Sequence, residues 1–433
     1  MQIAKRLPYY ASLILLAYMP FHLFLAQSLS LVTGGLDVWK VAKDVVVGLL
    51  TLFVICMVFI ARRTDRTFWV LSGLLAGYGF LHAILWLLHR DIYAQSAILG
   101  TVYNVRLFCF LVVGYGAVRL YPGVLQRRPI LMVVFGAATL VAALGVLQYF
   151  LPSDILTHVG YGIDRGARAN FSIDDAAGFT RVMSTLRDPN SLGAFLLVPM
   201  ALAVLGLLQK GSRYRKMVYG GALSLMVLAL FMTFSRSAWM AAVLTVGLTI
   251  LWQYRDLAML FVKRFGLLLI GLVIIGAGIA YSQRHSAFVT SYITHSSQGS
   301  SDIDSNEYHW LFVKQGLDGI AERPFGHGPG TAGLASIQNP KGSFLTENYY
   351  VQLGYELGVI GLVFFIVVQA WLYARLWRQR SDSLAIVLLA GFWGYVLMNM
   401  LLHTWSNEAV ACQWWLLTGV VLALQTANKK RTT

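Results

Sequence analysis

The amino-acid sequence predicts an all-α integral membrane protein with about 12 transmembrane helices, both termini cytoplasmic, and a large periplasmic loop between the ninth and tenth spans. Three observations lead there. The 433-residue chain is 58% hydrophobic and only 12% charged, about half the charge of an ordinary soluble domain. Apolar runs of roughly 20 residues recur along its whole length, each long enough to cross a hydrocarbon core of ~30 Å. These runs are continuous and do not alternate in about ten-residue units, so they read as helices and not as barrel strands.

Taken in order, the expected spans are 8–32, 37–60, 67–89, 97–120, 130–150, 188–209, 215–232, 236–253, 262–281, 349–374, 383–403 and 407–427. The first starts like a signal peptide, with Lys5 and Arg6 before an apolar run. The run is long and interrupted by Pro20 and His22, so it reads as an uncleaved helix. Alternating the sides from a cytoplasmic N-terminus puts seven basic clusters on the cytoplasmic face. They are Lys5 and Arg6; Arg62, Arg63 and Arg66; Arg119, Arg127 and Arg128; Lys210, Arg213, Arg215 and Lys216; Arg255, Lys263 and Arg264; Arg375, Arg378 and Arg380; and Lys429, Lys430 and Arg431. Together they hold 21 of the 34 basic residues. Short clusters beside apolar runs are orientation signals, so the net charge of +15 does not point to nucleic acid. Cys56, Cys109 and Cys412 all fall inside expected spans, which leaves no disulfide framework and no CxxC metal site. No internal repeat is evident. The chain reads as one polytopic domain, 1–433, with a smaller periplasmic loop at 151–186 and a larger one at 282–348.

External loops normally avoid positive charge, so the arginines expected there (Arg168, Arg181, Arg187 and Arg236 among them) call for a reason. A guanidinium fork binds phosphate in a bidentate way that lysine cannot match, which points to an anionic ligand on the outer face. Pairing with Asp154, Asp164, Asp174, Asp175 or Asp188 is the plainer alternative. In RDPNSLGAFLLVPM, Asp188 suits a helix cap and Pro189 a first turn. Arg187 then stands at the positive end of that helix, where an anion is favoured. FSRSAWM joins two spans with almost no loop, placing Arg236 at or just inside the interface, where a charge is costly unless it snorkels or functions.

The larger loop is the longest polar interval. Its Ser-rich piece, His295 to Glu307, reads as flexible. Beyond it Trp310, Val313, Leu317 and Ile320 recur at helical spacing, predicting an amphipathic helix near 308–321 lying along the outer surface. FGHGPG is neither a Walker loop nor a dinucleotide fingerprint, and reads as a tight turn with His327 as a candidate. Asp302-Ile303-Asp304 is a DxD in a flexible run, and the nine histidines form no metal-ligand spacing; no metal or cofactor is expected. Glu347 and Glu356 are nine residues apart, so on a regular helix they face opposite sides. Glu356 lies deeper and reads as a neutral or hydrogen-bonded packing residue. Glu347, at the mouth, can act as a general base if its pKa rises toward neutrality.

Together these pieces resemble the O-antigen ligase and polymerase superfamily. The shared features are Asp-Pro-Asn opening a middle span, Ser-Arg-Ser-Ala-Trp after a short external turn, and ERPFGHGPG, similar to the family's Pro-x-Gly-x-Gly turn. The last is ENYYVQLGYELGVIGLVFF, similar to its His-Asn-x-x-Leu…Glu-x-Gly-x-x-Gly helix. The resemblance covers about Gly178 to Phe365. It implies a metal-independent inverting glycosyltransferase of the bacterial inner membrane, which moves a glycan from undecaprenyl pyrophosphate to an acceptor hydroxyl at the periplasmic face. On this reading Arg187 and Arg236 hold pyrophosphate, with Arg181, Arg168, Asn190 and Tyr350 as further substrate-binding residues. The catalytic candidates are Glu347 and Asn348, with His309 and His327 behind them. The expected partners are a lipid-linked glycan donor, a glycan or lipid-linked acceptor, the bilayer and a chain-length regulator. Where ligases have His before Asn, this chain has Glu347, and the family's arginine ahead of the amphipathic helix is replaced by Asn306, Glu307 and His309. Both departures favour a polymerase over a ligase. A twelve-span transporter is the expectation of a different class, against which stand the concentration of polarity in external loops and the lack of a repeat.

Overall fold

The computed structural model describes residues 2–122, 127–172, 180–256, 259–260, 263–264 and 305–432. The first apolar run is broken by Pro20: α1 (Gln2–Tyr18) passes through a 3-10 turn (Met19–Phe21) into α2 (His22–Thr33). Next come α3 (Leu36–Ile60), α4 (Arg66–Leu88), α5 (Ala94–Leu120), α6 (Arg127–Tyr149), α7 (Pro189–Leu208), α8 (Arg213–Met232) and α9 (Arg236–Gln253). After the undescribed stretch follow α10 (Ser305–Glu322), α11 (Tyr349–Trp377) and α12 (Ser383–Asn399). The chain closes with α13 (Glu408–Ala411), a π-helical turn (Cys412–Leu416) and α14 (Leu417–Thr432). Among the described residues there is no β-strand, only two isolated bridges, Gly162 with Ala167 and Ser172 with Thr180.

Among the described residues eight helices are long and apolar enough to cross a membrane, counting Gln2–Thr33 as one. Helices stand at eleven of the twelve expected spans. The ninth, 262–281, lies almost wholly outside the described residues, as do the Ser-rich piece and Asp302-Ile303-Asp304. The difference between eight and eleven is one of length and composition. α12 has 17 residues and rises about 25 Å, short of the ~30 Å core; α9, with 18, is diluted by Arg236 and Gln253.

α5 and α7 form the centre of the bundle, with 61% and 72% of their most apolar windows buried, against 22% for α3 and α4. α5 packs against α1, α3, α4 and α14, and α7 against α8, α9 and α12. Without a hydrophobic drive between helices in lipid, close backbone approach supplies the contact. Gly114 of α5 lies against the Leu416 carbonyl and Gly419 of α14 against that of Leu111. Aromatic rings fill the rest: Trp415 packs edge to face on Trp405 and Trp414, and tilted contacts join Trp405 to Trp414 and Tyr395, and Trp415 to Phe108.

α11 is not a regular helix. Gly358, at φ 69° and ψ −178°, interrupts it, a conformation open essentially to glycine alone. The turn that FGHGPG predicted fills the break. The amides of His327 and Gly328 donate to the carbonyls of Tyr355 and Glu356, and the amide of Val359 donates to that of Pro324. The carbonyls orphaned at the end of the first half-helix are thus satisfied across the chain. α10 packs on this first half through Gly316, against Val351 and Thr346, and Gly319, against Tyr355. The two glycines and Ile320, which lies against Gly354, set the contact face, while Trp310 and Leu317 stay exposed.

Candidate functional site

Five of the helices that start on one face of the bundle are α3, α5, α7, α11 and α13. Residues at the start of each (Asp37, Gln95, Asp188, Glu347 and Asn407) line one cavity of about 570 Å³. Helix N-termini carry partial positive charge, so five of them around one space favour anions there. Three are capped by their own side chains. Asp188 accepts from the Ser191 amide at 2.8 Å and the Ser191 hydroxyl at 2.7 Å. Asn348 accepts from the amides of Tyr350 and Val351 at 2.9 and 3.0 Å, and Asn407 from those of Ala409 and Val410.

The cavity walls bear three cations, Lys40, Lys43 and Arg187, with His22 and His403 beside them. Among the described residues Arg187 forms no hydrogen bond or ion pair of its own, and its charge depresses the basicity of His403. Lys40 Nζ donates to the Arg165 carbonyl at 2.7 Å, tying the 151–172 loop to the cavity rim. An ionic cluster forms part of the lining, with Lys43, Asp44 and Glu408 on the cavity and Arg106 buried behind them. Lys43 meets Asp44 at 3.0 Å, and Arg106, 3% exposed, lies 3.4 Å from Asp44 and 3.8 Å from Glu408, while donating to the Ser406 carbonyl. Charges at that depth persist only when paired. At the far end of the bundle Arg119 pairs with Asp65 at 3.3 Å and Arg375 donates to Thr67. α5, with Gln95 at one end and Arg119 at the other, separates the two by about 36 Å.

Glu347 occupies the cavity wall in a left-handed backbone conformation, φ 50°. Burial, reinforced by Asp188, raises its carboxyl above the usual carboxylate range, and His309 pulls it back. The His309 ring stands 3.8 Å away. Glu356 is elsewhere: fully buried, it accepts from Asn104, Gln352 and the Ala332 amide.

The structure brings Arg187, Asn190 and Glu347 to the cavity, with His309 at its edge. Arg181 stands one residue behind, its guanidinium 3.2 Å from Asn190 Oδ1 and its Nε on the Thr233 carbonyl. Burial lowers its pKa, opposed by Asp188 and assisted by neighbouring Arg236. Arg236 opens α9 outside the cavity lining, and Arg168 is exposed away from it. Asn348 is committed to its cap and, through Nδ2, to the Met400 carbonyl at 2.9 Å. Tyr350 bonds Gln369 within the bundle. His327 stacks on Tyr355 with centroids 3.9 Å apart and lines the helix break, not the cavity; burial lowers its pKa. Sequence reasoning passed over Lys40, Lys43, His22, His403 and Glu408 as site residues. For Lys43, Asp44 and Arg106 a signal existed: ionisable groups inside apolar runs.

Long apolar helices around a deep, charge-lined cavity define a multi-pass membrane protein. Residues 221–366 match the model of the O-antigen ligase family. Over 394 residues the chain is 21% identical to an O-antigen polymerase of Salmonella muenchen, spanning 88% of this chain and 96% of that protein. These matches agree with the motifs: part of the chain is similar to the O-antigen ligase family and most of it to an O-antigen polymerase. The family match contains Glu347 and His309; Arg187 lies outside it.

Proposed function

We propose that the protein is a glycosyltransferase of the bacterial inner membrane. In this reading it spans the bilayer about twelve times with both termini cytoplasmic, and its cavity faces the periplasm. It joins a glycan from undecaprenyl pyrophosphate to a hydroxyl of a second glycan, elongating an O-antigen or exopolysaccharide. The observation that carries this reading is the placement of Glu347 on the wall of a cavity that also bears Arg187, Lys40 and Lys43, of which Arg187 has no carboxylate paired to it among the described residues. Acyl or metal chemistry is not needed for such a step. The receiving hydroxyl oxygen bonds to the anomeric carbon as its proton passes to Glu347. The bond from that carbon to the pyrophosphate oxygen breaks, and the lipid pyrophosphate leaves with the electron pair, held by the three cations. A single displacement of this kind inverts the anomeric centre.

A ligase, joining the finished glycan to lipid A-core or to a protein, uses the same steps with a different receiving hydroxyl. The description of the matching family favours it and the Salmonella muenchen relative favours polymerisation. We favour the polymerase because Glu347 stands where ligases carry histidine. The test is the glycan profile of cells lacking the protein, complemented with wild type or with Glu347→Gln. Single repeat units accumulating in the deletion and in the Glu347→Gln strain are expected. Long unattached chains would make it a ligase, and an unchanged profile would end the reading.

A further inference from the structure

His403 has no place in the proposed reaction, yet it is held beside Glu347 with unusual thoroughness. Three bonds stitch the 400–403 turn to the start of α11: Asn348 Nδ2 to the Met400 carbonyl, the Tyr349 amide to the Leu402 carbonyl, and His403 Nε2 to Thr346 Oγ1 at 3.3 Å. Thr346 is fully buried and immediately precedes Glu347.

Hydrogen-bond accounting determines the form of the ring. The Thr346 hydroxyl donates its single proton to the Asn348 carbonyl at 3.0 Å. Towards His403 it can therefore only accept, so Nε2 must carry a hydrogen and donate. Burial and the charges of Arg187 and His309 hold the ring at a pKa of about 4. The imidazole is thus neutral at neutral pH, with Nδ1 bare: a lone pair without a hydrogen-bond partner among the described residues, on a side chain that lines the cavity. Neighbouring Arg187 disfavours an imidazolium, so this nitrogen is suited to accept a hydrogen bond and unsuited to take a proton. It also repels unprotonated phosphate oxygens, which offer no donor. Hydroxyl-bearing, uncharged substrate is what it can hold.

We propose that His403 Nδ1 accepts a hydrogen bond from a second hydroxyl of the receiving sugar, beside the hydroxyl that Glu347 deprotonates. The inference rests on the glycosyl-transfer reading of the cavity and divides it chemically. Arg187, Lys40 and Lys43 take the pyrophosphate, while His403 and Glu347 take two hydroxyls of one sugar, so the receiving glycan is chosen by a pair of adjacent hydroxyls rather than by charge.

The test uses the full chain in detergent, carrying ¹⁵N-histidine, with the His403 signals assigned by their loss in His403→Gln. The probe is the repeat-unit oligosaccharide released from the host's own surface glycan. His403 should show the neutral Nε2–H form, and its Nδ1 resonance should move when the oligosaccharide is added. A charged ring, the Nδ1–H form, or no movement would overturn the proposal. In a transfer assay His403→Phe, which has no acceptor atom, should raise KM for the receiving glycan by about tenfold. His403→Asn, which restores a polar atom near Nδ1, should raise it less, and donor affinity should hold in both. Equal loss of donor and receiving-glycan affinity would make the role merely structural and sink the proposal. Movement of Nδ1 in a protein that transfers nothing would uphold the sugar contact and refute the transferase reading, whereas transfer without movement would do the reverse.

Discussion

Glu347 Oε2 lies 3.8 Å from His309 Nε2, so a carboxylate at the start of α11 faces a histidine on α10 across the rim of the cavity. The two elements are brought together by Gly316, whose lack of a side chain lets α10 settle against Val351 and Thr346. The pair couples an apolar packing detail to the residue on which the proposed chemistry depends.

Glu347→Gln is nearly isosteric but cannot take a proton, and turnover should fall ~10²–10⁴-fold, the usual worth of a general base. Donor binding should change little, since the cations carry it. Glu347→His should retain some activity. Wild-type activity in Glu347→Gln would move the base to His309.

The raised carboxyl of Glu347 has a definite sign in pH studies. Because the ionised form is the base, the rate should fall as pH drops through its raised pKa, above the ordinary carboxylate range. For stability the sense is opposite. A folded-state pKa above the unfolded value contributes fully below the unfolded pKa and is lost as pH rises through the folded one. Thermal unfolding of wild type against Glu347→Gln should therefore show wild type losing ground as pH rises towards neutrality. A parallel pair of curves would argue that the carboxyl is not perturbed.

Arg187→Lys keeps the charge but loses the fork, and a charge-assisted bond of this kind is worth ~1.5–3 kcal/mol. Affinity for the lipid-linked donor should drop about tenfold or more, with insertion and folding intact. Arg236→Lys should cost less, because Arg236 stands outside the cavity lining. Full activity in both variants would reduce these arginines to interfacial anchors.

Gly358→Ala should destabilise the fold by about 2 kcal/mol or more, since the left-handed conformation alone costs ~1–3 kcal/mol for other residues. An added methyl would also come within 2.5 Å of the Pro324 carbonyl oxygen. The measurement is thermal unfolding in detergent; a variant as stable as wild type would mean the break in α11 is not required.

The proposed orientation puts Ser343 outside and Ser212 inside. Both are exposed, so a membrane-impermeant thiol reagent applied to intact cells should label Ser343→Cys and spare Ser212→Cys. The reverse pattern would place the cavity in the cytoplasm and end the periplasmic reading.

Asn348 shows where motif reading stops. Its position beside Glu347 suggested a catalytic role, while its side chain is committed to two amides of α11 and the Met400 carbonyl. A helix cap and a ligand contact look alike in sequence, because both need a short polar side chain before an apolar run. Glu356 shows the opposite case. Its separation from Glu347 agrees with the expectation, though not by helical rotation, because Glu347 precedes α11 in a left-handed conformation.

By itself the sequence determined the helical membrane architecture, the cap at Asp188, the turn at FGHGPG and the place of Glu347 at a helix mouth. Each of these depends on neighbours within a few residues, through hydropathy, capping or backbone freedom. Only the tertiary structure decided which charges share a cavity. Lys40 comes from the first turns of α3 and Arg187, Glu347 and His403 from three loops far apart in the chain, and no local pattern distinguishes Lys40 from Arg168 or His403 from His327. Their meeting follows from the packing of helices around α5 and α7, a sum of many long-range contacts that a linear reading cannot evaluate.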